Sequence, residues 1–264
     1  MNTPPEGVRI GRLQQQRLNQ IYLRAVSHGS VDASELAKYF DVSTETIRRD
    51  LSELQARHLL RRVHGGAVPV DRQHHEPMID ARNSLHSEQK SAIAHQAIKQ
   101  IPDHGAIIID SGSTGQQLAE TFPVDRQLHV VTNSLAIATL LARRGVAELT
   151  VLGGSVRTNT LAMVDSAVVE TLRRMKADAL FISCDGLSLE RGLTTPYREE
   201  HMVKRAMMEA THWVVAIVDA SKFGNEQMFC YATFDEIDVL ITDSRVSPDD
   251  VRRIEDHGVE VVVA

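Results

Sequence analysis

Cysteine is nearly absent from this sequence. Only Cys184 and Cys230 occur in 264 residues, and they lie far apart without the spacing of metal ligands. This arrangement argues against a disulfide framework and against a zinc site, so we expect no metal. Proteins without disulfides are typical of the reducing cytoplasm, and we expect this protein to be cytoplasmic.

Long hydrophobic runs are also missing. No stretch approaches 18 uncharged apolar residues, which predicts a protein without a membrane partner. The first twenty residues are polar and rich in Gln and Arg, unlike a secretory signal. Hydrophobic residues nevertheless make up 42% of the chain, which is enough for a substantial core. Because 264 residues exceed the usual size of a single core, we expect two domains.

Charge is distributed unevenly along the chain. Residues 1–72 carry eleven Lys and Arg against eight Asp and Glu, a net charge of +3. This leaves −9 for the remainder of a chain whose total is −6. A basic N-terminal part joined to an acidic remainder is typical of a DNA-binding domain attached to a domain with another task.

Three segments near the N terminus predict a helix-turn-helix. In the first, apolar residues recur at spacings of three and four and share one helical face: Leu18, Ile21, Tyr22, Ala25 and Val26. Asp32 precedes Glu35 by three residues, an arrangement that can cap the second helix. Residues 41–43 form the turn, and Ser43 can cap the third helix with its hydroxyl. The third helix has a narrow apolar stripe formed by Ile47, Leu51 and Leu54.

The third helix presents its polar side away from this stripe. At about 100° per residue, Glu45, Arg49 and Ser52 project roughly opposite the stripe, with Arg48 on its flank. Such a helix can lie in a DNA major groove, with Arg contacting guanine edges or phosphates. For a single arginine, a solvated charged face on an ordinary three-helix unit is an equally good interpretation. The candidate DNA contacts of this helix are Ser43, Thr44, Glu45, Thr46, Arg48, Arg49 and Ser52.

A hairpin is predicted after the third helix. Two short apolar and basic runs, residues 59–63 and 67–70, are joined by residues 64–66, which contain a Gly pair. A Gly pair between two such runs is typical of a hairpin. A basic hairpin at this place forms the wing of a winged helix and contacts phosphates or a minor groove. The candidate DNA contacts of the wing are Arg61, Arg62 and His64.

Three short motifs lie between Val31 and Ala67. They are Glu-Leu-Ala at 35–37, Thr-Ile-Arg-Arg-Asp-Leu at 46–51 and Arg-Val-His-Gly-Gly-Ala at 62–67. Together they resemble the N-terminal domain of DeoR-type bacterial transcriptional repressors. We therefore expect a winged helix-turn-helix DNA-binding domain at residues 10–70. Residues 71–88 contain His, Pro, Asn, Ser and charged residues with little periodicity, and we interpret them as a linker.

From residue 89 onward, short buried strands alternate with amphipathic helices. This pattern is typical of an α/β domain with a mostly parallel sheet, which we expect at residues 89–264. The predicted strands are residues 107–109, 130–131, 149–152, 180–182, 214–218, 239–242 and 259–263. The predicted helices are residues 115–122, 135–144, 166–175, 199–212 and 248–256.

Polar or glycine-rich residues follow five successive strands of this domain. Ligands of such sheets bind beyond the carboxyl ends of the strands, so we expect one shared pocket. Taken singly, each of these residues is more often a turn, a cap or a solvated side chain, but their recurrence at one edge favours the pocket. The candidate effector contacts are Asp110, Ser111, Gly112, Ser113, Thr114, Thr132, Asn133, Ser134, Gly153, Gly154, Arg157, Asp185, Gly186, Thr194, Thr195, Glu199, Lys204, Asp219 and Lys222.

The charges among these residues suit a phosphorylated polyol or sugar. The segment after the first strand, residues 110–115, leads into a helix whose unpaired N–H groups can hold an anion. Positive charge comes from Arg157, Lys204 and Lys222. The groups that can accept protons from sugar hydroxyls are Asp110, Asp185, Glu199 and Asp219. Lys222 is our candidate for the contact with the phosphate, and no cofactor other than this effector is expected.

The order and spacing of these motifs resemble the effector domain of the DeoR family, so that the resemblance covers about residues 10–264. It implies a fold akin to ribose-5-phosphate isomerase and a phosphorylated sugar or sugar acid as inducer. Fructose 1-phosphate, glycerol 3-phosphate, tagatose and galactitol phosphates and phosphorylated amino sugars all fit this description. Cys184 departs from the family pattern of a small residue before Asp-Gly, and we interpret it as a buried side chain rather than a reactive thiol.

An isomerase is the alternative function, because a sugar-phosphate pocket on such a fold invites catalysis. Isomerisation needs a carboxylate that moves a proton between adjacent carbons. In the isomerases that the fold resembles, Asp-Gly leads into a further acidic pair, whereas residues 187–189 here are Leu-Ser-Leu. We therefore predict no enzyme but a cytoplasmic repressor of a carbohydrate operon, which binds its operator as a symmetric dimer or tetramer.

Overall fold

A computed structural model describes residues 30–56, 59–69 and 78–264, together with residues 14, 17, 18, 20–22, 24 and 25. The chain divides into two compact units, residues 1–81 and residues 82–264. The described residues between 14 and 25 are helical, and the predicted apolar face is buried at Leu18, Ile21, Tyr22 and Ala25. Val26, which belongs to the same prediction, lies outside the described residues.

The N-terminal unit is a winged helix-turn-helix, as predicted. Its helices after residue 30 include α1 (Ala33–Phe40) and α2 (Thr44–Ala56). Its strands are β1 (Val31–Asp32), β2 (Leu60–Val63) and β3 (Gly66–Pro69), which form an antiparallel sheet in the order β1–β3–β2. The two-residue strand β1 was not predicted. It requires a glycine opposite, because a Cβ at position 66 would lie 1.9 Å from the carbonyl oxygen of Val31.

Local capping bonds determine where α1 and α2 begin. The Asp32 carboxylate accepts hydrogen bonds from the backbone N–H groups of Ser34 at 2.8 Å and Glu35 at 3.1 Å. The Ser43 hydroxyl oxygen accepts one from the backbone N–H of Thr46 at 3.1 Å. Both predicted caps are confirmed. The predicted stripe of α2 is also confirmed, since it is fully buried at Ile47, Leu51 and Leu54.

The second unit is an α/β domain built on a parallel sheet. Its strands are β4 (His104–Ile109), β5 (Gln127–Thr132), β6 (Glu148–Val151), β7 (Ser155–Arg157), β8 (Ala162–Val164), β9 (Ala179–Ile182), β10 (Gly186–Ser188), β11 (Gly192–Thr195), β12 (Val214–Ile217), β13 (Phe229–Ala232), β14 (Val239–Thr242) and β15 (Glu260–Val263). Seven of them pair in parallel in the order β15–β14–β12–β9–β4–β5–β6. These seven are the strands predicted from the sequence.

Helices cover both faces of this sheet. They are α4 (Ser87–Ala97), α5 (Ser113–Glu120), α6 (Leu135–Arg144), α7 (Ser166–Arg173), α8 (Arg198–Glu209) and α9 (Pro248–Glu255), while α3 (Ile79–Ser84) precedes them at the boundary between the two units. Successive side chains of β4 enter different cores, since Ile108 packs in one apolar cluster while Ile107 and Ile109 pack in the other. None of the described helices is long and apolar enough to cross a membrane.

The structure corrects the sequence prediction at residues 79–88, which were interpreted as part of an irregular linker. Helix α3 lies inside this segment, and α4 begins at its end. The buried face of α4 contains Lys90 beside Ile93, Ala94 and Ala97. A lysine on the inner face weakens the apolar periodicity, which is why the sequence pattern did not reveal the helix. The sequence analysis also missed the hairpin β7–β8 and the small sheet β10–β11–β13.

Candidate functional site

Helix α2 presents an exposed basic face, as predicted. The side chains of Arg48 and Arg49 are 59% and 80% exposed. Each lies 3.8 Å from a carboxylate oxygen of Glu45, which is itself exposed. Exposed ion pairs of this kind contribute less than about 1 kcal/mol to stability. Both arginines can therefore leave Glu45 and bind an anionic partner at little cost in free energy.

The wing adjoins the same face of α2. Arg62 donates a hydrogen bond from Nη1 to the Ser52 hydroxyl oxygen at 3.2 Å, and Ser52 donates to the carbonyl oxygen of Arg48 at 2.8 Å. A concave surface results, lined by Glu45, Arg48, Arg49, Ser52, Glu53 and Arg62. Arg61 and His64 are exposed on the wing outside this concavity.

Two other candidates of this group serve the start of α2. The Ser43 hydroxyl lies 2.9 Å from that of Thr46 and also caps the helix. Thr44 is exposed in the first turn. The structure therefore gives Ser43 and Thr46 a structural task, while the arginines of α2 and of the wing remain the exposed cations of this surface.

A buried ion pair behind α2 was not predicted. The Asp50 carboxylate is 1% exposed, and Arg17 Nε lies 2.5 Å from its Oδ2 atom. Asp50 follows Ile47 by three residues and precedes Leu54 by four, so it shares their buried face. The spacing was visible in the sequence, but the sequence analysis assigned Asp50 no role. The pair holds α2 against the N-terminal helical residues.

In the second unit, two adjoining cavities open at the carboxyl edge of the parallel sheet. The first, here called the Lys222 cavity, encloses about 230 Å³ of empty space including its open side. It is lined by Arg82, Ser113, Thr114, Ser183, Cys184, Ile217, Val218, Asp219 and Lys222. The second, the Glu200 cavity, has about 250 Å³ of empty space including its open side. It is lined by Arg82, Ser111, Gly112, Thr160, Ser183, Cys184, Asp185, Glu200 and Lys204. The shared residues make the two cavities one bipartite cleft.

The Lys222 cavity has the features of an anion site. Helix α5 begins there at Gly112, whose φ of 144° favours glycine, and no described side chain caps the helix. Its first N–H groups and the positive end of its dipole therefore point toward a ligand. Lys222 ends the short 3₁₀ turn that follows β12. An ammonium group beside an uncapped helix start suits a phosphoryl group.

Asp219 organises the turn that carries Lys222. Its carboxylate accepts a hydrogen bond from the backbone N–H of Ser221 at 3.1 Å and another from the Ser221 hydroxyl. Burial raises the pKa of Asp219, but the Ser221 hydroxyl bond and the charges of Lys222 and Lys90 outweigh it, so the net pKa is lowered. The residue is thus an ionised acceptor that positions the turn.

Arg82 lies where the two cavities meet. Its Nη2 atom is 3.1 Å from Asp185 Oδ1, and both side chains are largely buried. The Thr195 hydroxyl lies 3.1 Å from a carboxylate oxygen of Asp185 and 3.1 Å from one of Glu200. Burial raises the pKa of Asp185, but Arg82 and Lys222 together lower it below its usual value. Asp185 and Glu200 therefore present acceptor oxygens to the Glu200 cavity.

Lys204 forms a buried pair with Asp110 beneath the cleft. Lys204 Nζ lies 2.5 Å from Asp110 Oδ2 and donates to the carbonyl oxygen of Ser183 at 2.8 Å. Tyr231 donates its hydroxyl to the same carbonyl at 2.7 Å. Burial lowers the pKa of Lys204, but the carboxylates of Asp110 and Glu200 raise it above its usual value. The ammonium is thus a fixed positive charge in the wall of the cleft.

The cavity is lined by Glu200 and not by the predicted Glu199. Glu199 is exposed, whereas Glu200 is 7% exposed and lines the cavity that carries its name. Residues four apart share a helical face, so Glu200 and Lys204 point inward together and Glu199 is rotated by about 100°. Glu200 is held by Arg157, whose Nε lies 3.4 Å from Oε1 and whose guanidinium stacks 3.6 Å above the ring centroid of Tyr197.

Several other predicted contacts bond to the protein itself instead of lining the cleft. The Asn133 side chain accepts from Ser111 N–H and donates to the Met163 carbonyl. Thr132, Ser134 and Thr194 likewise bond to backbone groups. The two glycines at 153 and 154 are exposed turn residues outside the cleft. Gly186 packs against backbone, because a Cβ there would lie 2.5 Å from the carbonyl oxygen of Asn225.

The cleft also contains residues that the sequence interpretation missed. Ser183 and Cys184 directly follow β9, so the strand-end rule that found Asp185 was able to find them. The predicted burial of Cys184 is confirmed, since the residue is 4% exposed, and burial raises the pKa of its thiol to about 12. Arg82 and Thr160 lie outside the seven parallel strands and their ends, and no sequence signal indicated either.

Two family models match the chain. One, described as the DeoR C terminal sensor domain, matches residues 85–244, and the other, the DeoR-like helix-turn-helix domain, matches residues 17–73. Among curated proteins, the HTH-type transcriptional regulator GlpR of Haloferax volcanii is 36% identical over 227 residues, which cover 86% of this chain and 89% of that protein. The glycerol-3-phosphate regulon repressor of Escherichia coli K12 is 29% identical over 94% of this chain and 98% of its own length.

A further relative and a solved structure are also similar to this chain. The putative aga operon transcriptional repressor of Escherichia coli O157:H7 is 28% identical over 99% of this chain and 98% of its own. The ribose 5 phosphate isomerase A of Neisseria gonorrhoeae is 18% identical, covers 54% of each chain and has a TM-score of 0.39. A score this low carries no argument about the fold.

Proposed function

Since this chain belongs to the DeoR family of DNA-binding transcriptional regulators, we propose that it represses a carbohydrate-utilisation operon and releases its operator when a phosphorylated sugar or related metabolite binds. The bipartite cleft carries this proposal. It joins an anion site at Lys222 to a wall of carboxylate acceptors at Asp185 and Glu200. A molecule with a phosphoryl group and several hydroxyls complements both parts.

Two of the relatives support this choice of operon and effector. Their names refer to the glycerol-3-phosphate regulon and to the aga operon, and both names describe repressors. The isomerase alternative has less support from the cleft. Asp185 is bonded to Arg82 and Thr195, and Lys204 is bonded to Asp110, so both groups are already engaged within the protein.

The proposal assigns DNA binding and effector binding to different parts of the chain. Residues 10–70 bind the operator, and we place the start of the effector-binding domain at residue 82 instead of 89, because Arg82 lines the cleft. A lone winged helix makes few DNA contacts, so the protein acts as a symmetric dimer or tetramer on a repeated or palindromic operator. It works in the cytoplasm, where its DNA target lies.

Replacing Arg49 by alanine tests the role of α2. We expect operator affinity to fall at least tenfold, while the melting temperature stays within a degree or two, because the side chain is 80% exposed. The measurement is a binding titration on an operator selected from genomic fragments. Arg173 on α7 is the matched control, since it is also exposed and also lies near a glutamate of its own helix, and Arg173→Ala should bind normally. Unchanged affinity in the Arg48→Ala, Arg49→Ala double variant would remove α2 from the interface.

Substitution of the wing arginines should affect DNA binding in a different way from substitution of Arg49. Arg61→Ala and Arg62→Ala are expected to weaken specific and non-specific DNA alike, because these residues contact phosphates. Each lost contact should reduce the slope of log affinity against log salt by about one unit. The measurement is a salt titration on the operator and on a scrambled duplex. A loss confined to one operator base would show instead that the wing reads sequence.

A further inference from the structure

The Glu200 cavity is closed on one side by a hairpin whose turn carries Thr160. Strands β7 and β8 pair antiparallel, and Thr160 lies in the turn between them. The residue is 3% exposed and lines the cavity. Its hydroxyl oxygen is buried and has no hydrogen-bond partner among the residues that the structure describes. Burial of a hydroxyl without a partner is unfavourable, and a ligand atom in the cavity can supply the missing hydrogen bond.

The hairpin holds Thr160 in place. Leu161 donates its N–H to the Arg157 carbonyl at 2.8 Å, and the Leu161 carbonyl accepts the N–H of Leu135 at 3.0 Å. Leu161 has a φ of 55°, a left-handed conformation that is unfavourable for leucine and that persists only where the surrounding structure imposes it. Two residues later, Met163 donates its N–H to the Asn133 carbonyl at 2.7 Å. Thr160 therefore cannot easily turn away from the cavity.

The chemistry opposite Thr160 selects the kind of ligand group. Asp185 and Glu200 offer carboxylate oxygens that only accept hydrogen bonds, and their charges repel a phosphoryl group. Lys204 uses its ammonium on Asp110 and Ser183. An alcohol can donate to a carboxylate and at the same time accept from the threonine hydroxyl. The Lys222 cavity is thus the site for the anion, and the Glu200 cavity is the site for alcohol groups. Arg82 lies between them.

Resting on the proposed function, we infer that Thr160 is a specificity-determining residue for the effector. Its hydroxyl bonds to an alcohol group on the carbon chain of a polyhydroxylated phosphate, whose phosphoryl group lies in the Lys222 cavity. The effector is thereby bound lengthwise, with the phosphoryl at the start of α5 and the hydroxyl-bearing end below the β7–β8 turn. Inorganic phosphate occupies the first part alone and makes no use of Thr160.

Thr160→Val tests this assignment, because valine keeps the shape and removes the hydroxyl. The full-length protein is titrated with inorganic phosphate and with glycerol 3-phosphate, fructose 1-phosphate and galactitol 6-phosphate. We expect at least one of the three to bind the wild type more tightly than phosphate does. Thr160→Val should weaken that compound about tenfold and leave phosphate affinity unchanged. Thr160→Ser, the conservative control, should keep affinity within about threefold.

The stability of the free protein supplies a second readout. If the hydroxyl serves a ligand, Thr160→Val should keep or raise the melting temperature, because no protein hydrogen bond is lost. A lowered melting temperature, equal binding of the best compound by Thr160→Val and wild type, or hydroxylated phosphates that bind no better than phosphate would each overturn the inference. Failure of the wild type to bind any of the four compounds would instead overturn the proposed effector class, and the inference with it.

Discussion

Lys222→Ala should yield a repressor that binds its operator with wild-type affinity but no longer releases it when the effector is added. The ammonium group lies at the phosphoryl end of the cleft, and a charge-assisted hydrogen bond to phosphate contributes about 1.5–3 kcal/mol. Its loss weakens effector binding about tenfold to a hundredfold and leaves the DNA-binding face untouched. The measurement titrates the best-binding hydroxylated phosphate against a preformed protein–operator complex.

A surface lysine provides the control for this experiment. Lys99 is exposed and donates a hydrogen bond to Gln96 outside the cleft, so Lys99→Ala should release the operator as the wild type does. If Lys222→Ala also releases the operator at the wild-type effector concentration, Lys222 only pairs with a neighbouring carboxylate. Removal of such a pair costs less than about 1 kcal/mol. A ligand alters DNA affinity only if it binds one conformation better, so binding and release must both be measured.

Asp110→Asn is expected to destabilise the second unit by about 3–5 kcal/mol, because it removes the carboxylate to which the buried Lys204 ammonium is bonded. The single tryptophan of the chain, Trp213, directly precedes β12 and reports the unfolding of this unit by fluorescence. The measurement is the free energy of unfolding in urea at neutral pH. A loss below about 1 kcal/mol would contradict the assignment of a buried, mutually dependent pair.

Two companion variants sharpen this measurement. Glu170 and Arg174 form an exposed pair at 2.9 Å on the same unit, and Glu170→Gln should cost less than about 1 kcal/mol. The double variant Asp110→Asn, Lys204→Met removes both charges, and it should recover much of the stability lost in the single variant. Recovery would show that an unpaired buried charge, and not a change of packing, causes the loss.

The elements that depend on neighbours in sequence were predictable without coordinates. The caps at Asp32 and Ser43 act over two or three residues, and the stripe of α2 follows from helical periodicity alone. Strands β9, β12 and β14 were recognisable because they are buried at every residue, which produces short continuous apolar runs. Strand-end chemistry also pointed to one edge of the sheet, where Lys222 and Asp185 indeed line adjoining cavities.

The composition of the cleft depended on contacts between distant residues. Arg82 meets Asp185 across 103 positions, and Lys204 meets Asp110 across 94, so no local pattern marks either pair. Both lysine and aspartate are ordinarily surface residues, and burial changes their role only when a partner is present. Thr160 lies near Glu200 because hydrogen bonds fasten its hairpin to the end of β5. Through-space electrostatics and packing, which sequence spacing does not encode, therefore distinguish the residues that can bind a ligand from those that support them.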